Sequence, residues 1–535
     1  MTTPGLAPTP AADTSSAAEK HPRSRFRVAK EFPPIPDGTV LYGKGRPELK
    51  QMNDGELMLV IVRSAAWRDV VTPVCEELDR TRPSRGPKPL YTSEELEYVL
   101  LYQLLCGLRC YREARDRLAG DRGAVVRAAL GFNRPRSLRG RRVVSLTSGV
   151  PSEPTISRHL NHFDPELRRA TYRRLFERLV REHFEFFPEF REDARVLGMD
   201  GTHILTHFTA PVCRKQTKEE EKRQAESEEA PKTLDELCTT DWSRVVNETE
   251  QITCRDGGYL PYDKTMGKAG GHGFNLVATV TANGLPLEFA VVPINASEKR
   301  VSEAILRERF AQNILPYLNR TRLHILTADG GFTSPTLRNL LRSFGILENI
   351  QMVSHGKDER TRVRAEVERG QAIPIEGYPN WHANGLREIS CACGSGLVSS
   401  RVGVSRRGCA FARLEGRCTE CGSITITSGQ WRLAQNPKQF RLAHPGDPVK
   451  NRDWTFGNPL TYDSPVAAAL GKARFGQNEG FHGALERRFR LIKGKRWYRS
   501  RVEAETDTAV IFCVMHALAM EQRRRAAAQS VEKAA

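Results

Sequence analysis

Residues 196–205 read Val-Leu-Gly-Met-Asp-Gly-Thr-His-Ile-Leu, a largely apolar run around one carboxylate, Asp200. Such a run predicts a strand, and a carboxylate inside an apolar strand is costly unless something positive meets it. The feature recurs where Leu323-His324-Ile325-Leu326-Thr327-Ala328 ends in Asp329. Both aspartates are followed by glycine, Gly201 and Gly330-Gly331, where backbone or ligand can approach closely. The chain must therefore fold so that two strand-borne acids reach a site holding positive charge.

The surrounding pattern predicts a mixed sheet. Two strands, Phe274 to Thr281 and Leu287 to Ile294, flank the turn Asn283-Gly284. A helix is expected over roughly 297–317, a further strand at 323–329, a helix from Ser334-Pro335 and a strand from Ile346 to Val353. Three hairpin-joined strands followed by helix–strand alternation place residues 191–355 in the α/β class. A charged stretch, 214–262, reads as a solvated insertion loop. Residues 356–470 break the rhythm with many Gly, Pro and Thr residues and read as a β-rich insertion. Helical periodicity returns over 471–525, and 526–535 reads as a tail.

Ahead of the sheet, residues 36–190 read as an all-α domain, opened by Leu57, Val60, Ile61 and Trp67. A capping box at Thr92-Ser93-Glu94-Glu95 precedes an apolar helix. Five arginines and no acid lie between Arg134 and Arg142. The segment Pro151-Ser-Glu-Pro-Thr-Ile-Ser-Arg-His-Leu160 resembles the reading helix of a helix-turn-helix, with Arg158 and His159 set to meet phosphates and base edges. Residues 1–35 read as a disordered basic leader without the apolar stretch of a secretory signal.

The chain has 535 residues, too many for one core, so two to four domains are expected. Its net charge of +18 points to a polyanionic partner, most simply DNA. The longest apolar stretch, Ala509 to Met520, is interrupted by His516 and too short to span a bilayer. A cytoplasmic, nucleoid-associated protein with reduced thiols is expected.

A third carboxylate is available on the segment Glu479-Gly-Phe-His-Gly-Ala-Leu-Glu486. With Phe481, Leu485, Phe489 and Ile492 as a core stripe, Glu486, Arg490 and Lys493 share a flank of one continuous helix. Three converging carboxylates repel unless a cation joins them. Hard oxygen ligands beside a phosphate substrate suit Mg²⁺ or Mn²⁺. From Arg487 to Arg501, eight of fifteen residues are Lys or Arg and none is acidic, with Phe489, Trp497 and Tyr498 interleaved. Such a run tracks a phosphate backbone, through Arg487, Arg488, Arg490, Lys495, Arg496, Arg499 and Arg501.

Met199-Asp200-Gly201-Thr202, Thr327-Ala328-Asp329-Gly330-Gly331-Phe332 and Leu485-Glu486-Arg487-Arg488-Phe489-Arg490-Leu491-Ile492-Lys493, in that order, resemble the DDE transposases of bacterial insertion sequences. The resemblance is nearest to the cut-and-paste "insertion sequence four" superfamily and covers roughly residues 90–520. It implies an RNase H-like catalytic core interrupted by the β-rich insertion. It also implies Asp200, Asp329 and Glu486 as Mg²⁺ ligands, Lys493 as a catalytic helper, and a dimer working on the element's terminal inverted repeats and on target DNA. The family's last helix carries Tyr, Arg, Glu and Lys at fixed spacing. Glu486 and Lys493 match that spacing, whereas the Arg position is His482 and the Tyr position Glu479. Glu479 stays a second candidate for the third carboxylate.

Cys391-x-Cys393 and Cys418-x-x-Cys421 have chelating spacing and Gly-containing turns after each pair. In a reducing compartment they read as a structural Cys₄ zinc ribbon, with Cys409 an alternative ligand. Four thiolates leave no open position for water, so the site is structural rather than catalytic. Three other readings compete with a transposase. A transposase-derived DNA-binding regulator is disfavoured by the intact carboxylates. A plain metal-dependent DNA nuclease leaves the helical domain and zinc module without a use. A glycosidase does not call for a charge of +18.

Overall fold

The computed structural model describes residues 27–28, 41, 47–82, 90–133, 136–138, 141–143, 149–207, 232–240, 254, 256–260, 271–319, 322–332, 334–350, 373–375, 378–384, 388–391, 393, 397–404, 410–427, 465–492, 498 and 500–534. The N-terminal third is helical where capping chemistry starts each helix. In α1 (Asp54–Val62), Asn53 and Glu56 form a reciprocal capping box, and Ser64 caps α2 (Ala65–Thr81). Thr92 and Glu95 form the box of α3 (Ser93–Leu105), as its sequence signature requires. Shorter helices follow, α4 (Tyr111–Ala119), α5 (Ala124–Ala129) and α6 (Glu153–His162). Then come α7 (Pro165–Phe186), started by Pro and capped by Asp164, and α8 (Pro188–Asp193).

This region is not purely α. The arginine-rich stretch forms a short antiparallel ribbon of Arg136–Leu138 and Arg141–Val143. Nor does it stand apart from the sheet behind it. Phe176 of α7 packs edge-on to Phe289 at 5.4 Å and against Phe512 at 5.8 Å, residues of a central strand and the last helix. One contiguous apolar core runs through both regions.

The central sheet contains β1 (Val196–Leu205), β2 (Gly258–Leu260), β3 (Gly271–Val280), β4 (Pro286–Pro293), β5 (His324–Ala328) and β6 (Ile346–Ile350). In space, β4 and β2 share one edge of β3, and β1, β5 and β6 follow on its other side. The β1–β3 and β3–β4 pairs are antiparallel, while β1–β5 and β5–β6 are parallel. The mixed sheet expected from the hairpin followed by alternation is present. Strand β2 corrects the reading of 214–262 as loop alone, because its three residues pair with Gly271–Gly273.

Helix α9 (Glu298–Ala304) passes into a π-helical segment, Ile305–Phe310, so the helix expected over 297–317 is interrupted rather than regular. Helix α10 is Pro335–Ser343. The insertion contributes β7 (Ile373–Ile375), β8 (Tyr378–Asn384), β9 (Glu388–Cys391), β10 (Leu397–Val404), β11 (Ala410–Cys418) and β12 (Gly422–Thr427), paired in two antiparallel sheets. Arg27–Val28 of the basic leader pairs with Gly403–Val404, so this part of the leader is a strand and not a free tail.

Two long helices close the chain, α11 (Pro465–Arg487) and α12 (Arg501–Ala534). Helix α12 runs nine residues past the expected tail boundary at 525, to Ala534. The larger correction is at α11, which ends at Arg487 and does not continue through Lys493. Phe489, Leu491 and Ile492 are all buried. Helical spacing puts residue 491 about 200° around from 489, so no single helix face can bury both. The chain turns instead at Arg490, which adopts φ of 51°, and Leu491 N donates to Leu485 O at 2.8 Å. Gly107 fits against this turn with φ of 61°, and a Cβ there would lie 2.2 Å from the Arg488 carbonyl oxygen.

Candidate functional site: carboxylates at the parallel strand edge

Strands β1 and β5 are parallel and in register at Gly198 and Thr327. Asp200 and Asp329 each stand two residues past that pair, which brings the two carboxylates to neighbouring strand ends. Both are half-buried, and each uses one oxygen to fix its own turn. Gly201 N donates to Asp200 Oδ1 at 2.9 Å, and Gly331 N donates to Asp329 Oδ1 at 2.7 Å. The second Asp200 oxygen accepts from Asn478 Nδ2 of α11 at 3.2 Å. Beside it Gln477 donates to the Thr281 carbonyl at 2.7 Å, pinning α11 across β1 and the end of β3.

Gly198 makes this crossing possible, because a Cβ there would meet Asn478 Oδ1 at 2.5 Å. Burial raises the Asp200 carboxyl above its ordinary range. His482, the Gly201 amide and Arg474 pull it back, and the Asp329 charge adds to the rise. The strand-end acids thus meet positive groups from α11, as a carboxylate within an apolar strand requires.

Glu486 lies one helical turn beyond His482 and is half-buried. It lines an open cleft of about 390 Å³ with Glu479, Gly480, His482, Gly483 and Arg487. Glu479 is exposed at the mouth of the same cleft. Another acid, Glu298 at the start of α9, faces the centre from the opposite side and senses the charges of Asp200 and Asp329. The sequence reading missed Glu298, because an acid in the first turn of a helix is an ordinary occurrence.

Several expected DNA-contacting residues are placed differently. His159 is buried, with Nε2 2.8 Å from Glu97 Oε1. It serves the core of the helical region and does not face outward. The same Glu97 accepts from Arg168 at 3.0 Å and from the Tyr172 hydroxyl at 2.5 Å. Burial works against its charge, yet Arg168 and His159 hold the carboxyl down to about 2. Arg158, next to His159, is exposed on α6. Arg487 and Arg490 are exposed, and Arg488 is half-buried over the Phe489 ring at 5.4 Å. Arg501 is drawn into an internal ion pair with Glu505 at 2.8 Å, where Arg169 and Arg309 also converge. That pairing removes it from the expected phosphate-binding row. Lys493, Lys495, Arg496 and Arg499 lie outside the described residues.

In the insertion, the Sγ atoms of Cys391, Cys393, Cys418 and Cys421 lie within 4.8 Å of one another. The Cys391–Cys393 and Cys393–Cys418 sulfur separations are both 3.3 Å. Four thiolates around a tetrahedral ion at 2.3 Å have sulfur–sulfur edges of about 3.8 Å, within this spread. The cluster can bind a metal such as zinc. It joins the end of β9 to the β11–β12 turn, where Cys418 pairs with Gly422. Among the described residues, no helix is long and apolar enough to cross a membrane.

Comparison with protein-family models, with curated proteins and with solved structures finds no match in any of the three.

Proposed function

We propose that the protein is a DDE-type DNA transposase of the insertion-sequence kind, a polynucleotidyl transferase built on an RNase H-like core. The observation that carries this reading is the pair Asp200 and Asp329 at adjacent ends of parallel strands in a mixed sheet, crossed by the acid-bearing helix α11. The spatial order β4-β3-β1-β5-β6, antiparallel on one side of β1 and parallel on the other, supports the RNase H-like description. The chain's +18 charge supports a nucleic-acid substrate.

In this reading Asp200 and Asp329, with Glu486 from α11, hold divalent magnesium or manganese. Their hard oxygens and half-buried positions suit such an ion. A bound ion supplies activation of the attacking hydroxyl and neutralisation of the leaving oxygen. Asn478 fixes the carboxylate plane of Asp200, and His482 and Arg474 balance its charge.

Cleavage is an in-line displacement at phosphorus. A water oxygen bonds to the phosphorus, the bond to the 3′-oxygen breaks, and a proton passes from the water to the medium. In joining, the freed 3′-hydroxyl attacks a target phosphodiester and displaces its 3′-oxygen. The helical region with Arg158, and the exposed Arg487 and Arg490, hold the duplex through its phosphates. Two copies act together on the paired ends. The cysteine cluster is a structural zinc ribbon that folds the insertion.

The experiment is direct. Full-length protein is incubated with Mg²⁺ and duplex DNA carrying the sequences that flank its gene, and the new 3′ ends are mapped. Discrete metal-dependent ends that join to a second DNA support the reading, and intact DNA under the same conditions contradicts it.

A further inference from the structure

We propose that Glu298 belongs to the cation-holding set of the Asp200–Asp329 centre, which it enters across the bare backbone of Gly201. The proposal rests on the reading of that centre as a divalent-cation site.

Three observations converge on it. A Cβ at residue 201 would lie 2.3 Å from Glu298 Oε1, so this carboxylate occupies the space a side chain would need, immediately beside Asp200. Asn275 donates Nδ2 to Glu298 Oε1 at 3.3 Å. Asn275 is only 1% exposed, yet its Oδ1 accepts no hydrogen bond among the described residues and lies 3.3 Å from the same Gly201 position. A buried amide oxygen without a donor is costly. A hydrated divalent cation supplies what it lacks, because the cation's water donates to carbonyl and carboxylate oxygens alike.

The electrostatics agree. Burial and the charges of Asp200 and Asp329 work against ionisation of Glu298, and the Asn275 bond only partly offsets them. A structural acid at that position would be expected to carry a Lys or Arg partner. Its opposing neighbours are instead two more carboxylates, and a shared cation reconciles the three.

Binding of Mn²⁺ to the full chain, followed by loss of the free-ion paramagnetic resonance signal, tests the proposal without reference to cleavage. Wild type is expected to bind Mn²⁺ at a site that Asp200→Asn removes. Glu298→Gln should weaken that site about tenfold, the lower end of what loss of a supporting carboxylate costs. Glu298→Asp should recover part of the loss. Gly201→Ala, which displaces the carboxylate without altering it, should mimic Glu298→Gln. Far-ultraviolet circular dichroism of each variant reports folding. Wild-type Mn²⁺ affinity in folded Glu298→Gln and Gly201→Ala, with loss in Asp200→Asn, overturns the role of Glu298 and leaves the centre standing. Identical Mn²⁺ binding by wild type and Asp200→Asn overturns both this inference and the functional reading beneath it.

Discussion

Asn478 of α11 donates its side-chain amide to Asp200 Oδ2 at 3.2 Å, joining residues 278 positions apart in sequence. The bond orients the aspartate that β1 delivers and fastens the acid-bearing helix over the sheet. Asn478 is 2% exposed, and its own Oδ1 has no partner among the described residues.

Replacing Asn478 by Ala is therefore expected to loosen Asp200 without removing any charge. Cleavage should fall about 10- to 100-fold, the range for loss of a group that orients a metal ligand. DNA affinity should change little, because Asn478 touches no phosphate in this account. Parallel measurements of cleavage rate and of binding by fluorescence anisotropy separate the two effects. Equal losses in both would assign Asn478 to packing alone.

The cysteine cluster makes a compositional prediction. Purified protein should carry about one zinc per chain by elemental analysis, as four thiolates fill one tetrahedral ion. Cys418→Ser should lose it and raise the protease sensitivity of the insertion, while Cys409→Ser should retain it. Full zinc content in Cys418→Ser contradicts the assignment.

The seam between α7 and α12 makes a pH prediction. His183 and His516 meet Nδ1 to Nδ1 at 3.1 Å, and His516 Nε2 lies 2.6 Å from the Pro286 carbonyl. Burial lowers both imidazoles, His516 to about 4, and Arg523 disfavours a proton on either. The unfolded chain, with histidine near 6.5, binds protons that the folded chain refuses. Stability is thus fully present above pH 6.5 and declines as pH falls toward 4. The slope is about 1.4 kcal/mol per pH unit for each histidine that titrates only on unfolding. Urea denaturation of wild type and His183→Phe at pH 7 and pH 5 checks this. The variant should lose less stability over the interval, and an identical loss contradicts the account.

How much of this was legible in the sequence depends on how locally each feature is encoded. Asp200 and Asp329 could be read because a carboxylate in an apolar run followed by glycine is conspicuous, and period-two patterning set their strands. The cysteine quartet was legible from its spacing. The end of α11 was not, since the turn at Arg490 uses an arginine at positive φ where glycine is the usual signal. Leu491, off the Phe481–Leu485–Phe489 stripe, was the available clue. His159 was misread as outward-facing because its partner, Glu97, lies 62 residues earlier. Ile156, three residues before it, marks the buried face on which it falls. Glu298 reaches the centre only through the space left by Gly201, a relation no local pattern carries.

The central claim is that Asp200 and Asp329 perform metal-dependent strand cleavage together with Glu486. The most direct measurement is single-turnover cleavage of end-bearing DNA by Asp200→Asn, Asp329→Asn, Glu486→Gln and Glu479→Gln, each at saturating DNA with Mg²⁺. The account predicts loss of cleavage in the first three with end binding largely retained, and only a mild effect in Glu479→Gln. Wild-type cleavage by Asp200→Asn or Asp329→Asn would contradict it. Activity in Glu486→Gln with inactivity in Glu479→Gln would move the third carboxylate two turns back along α11.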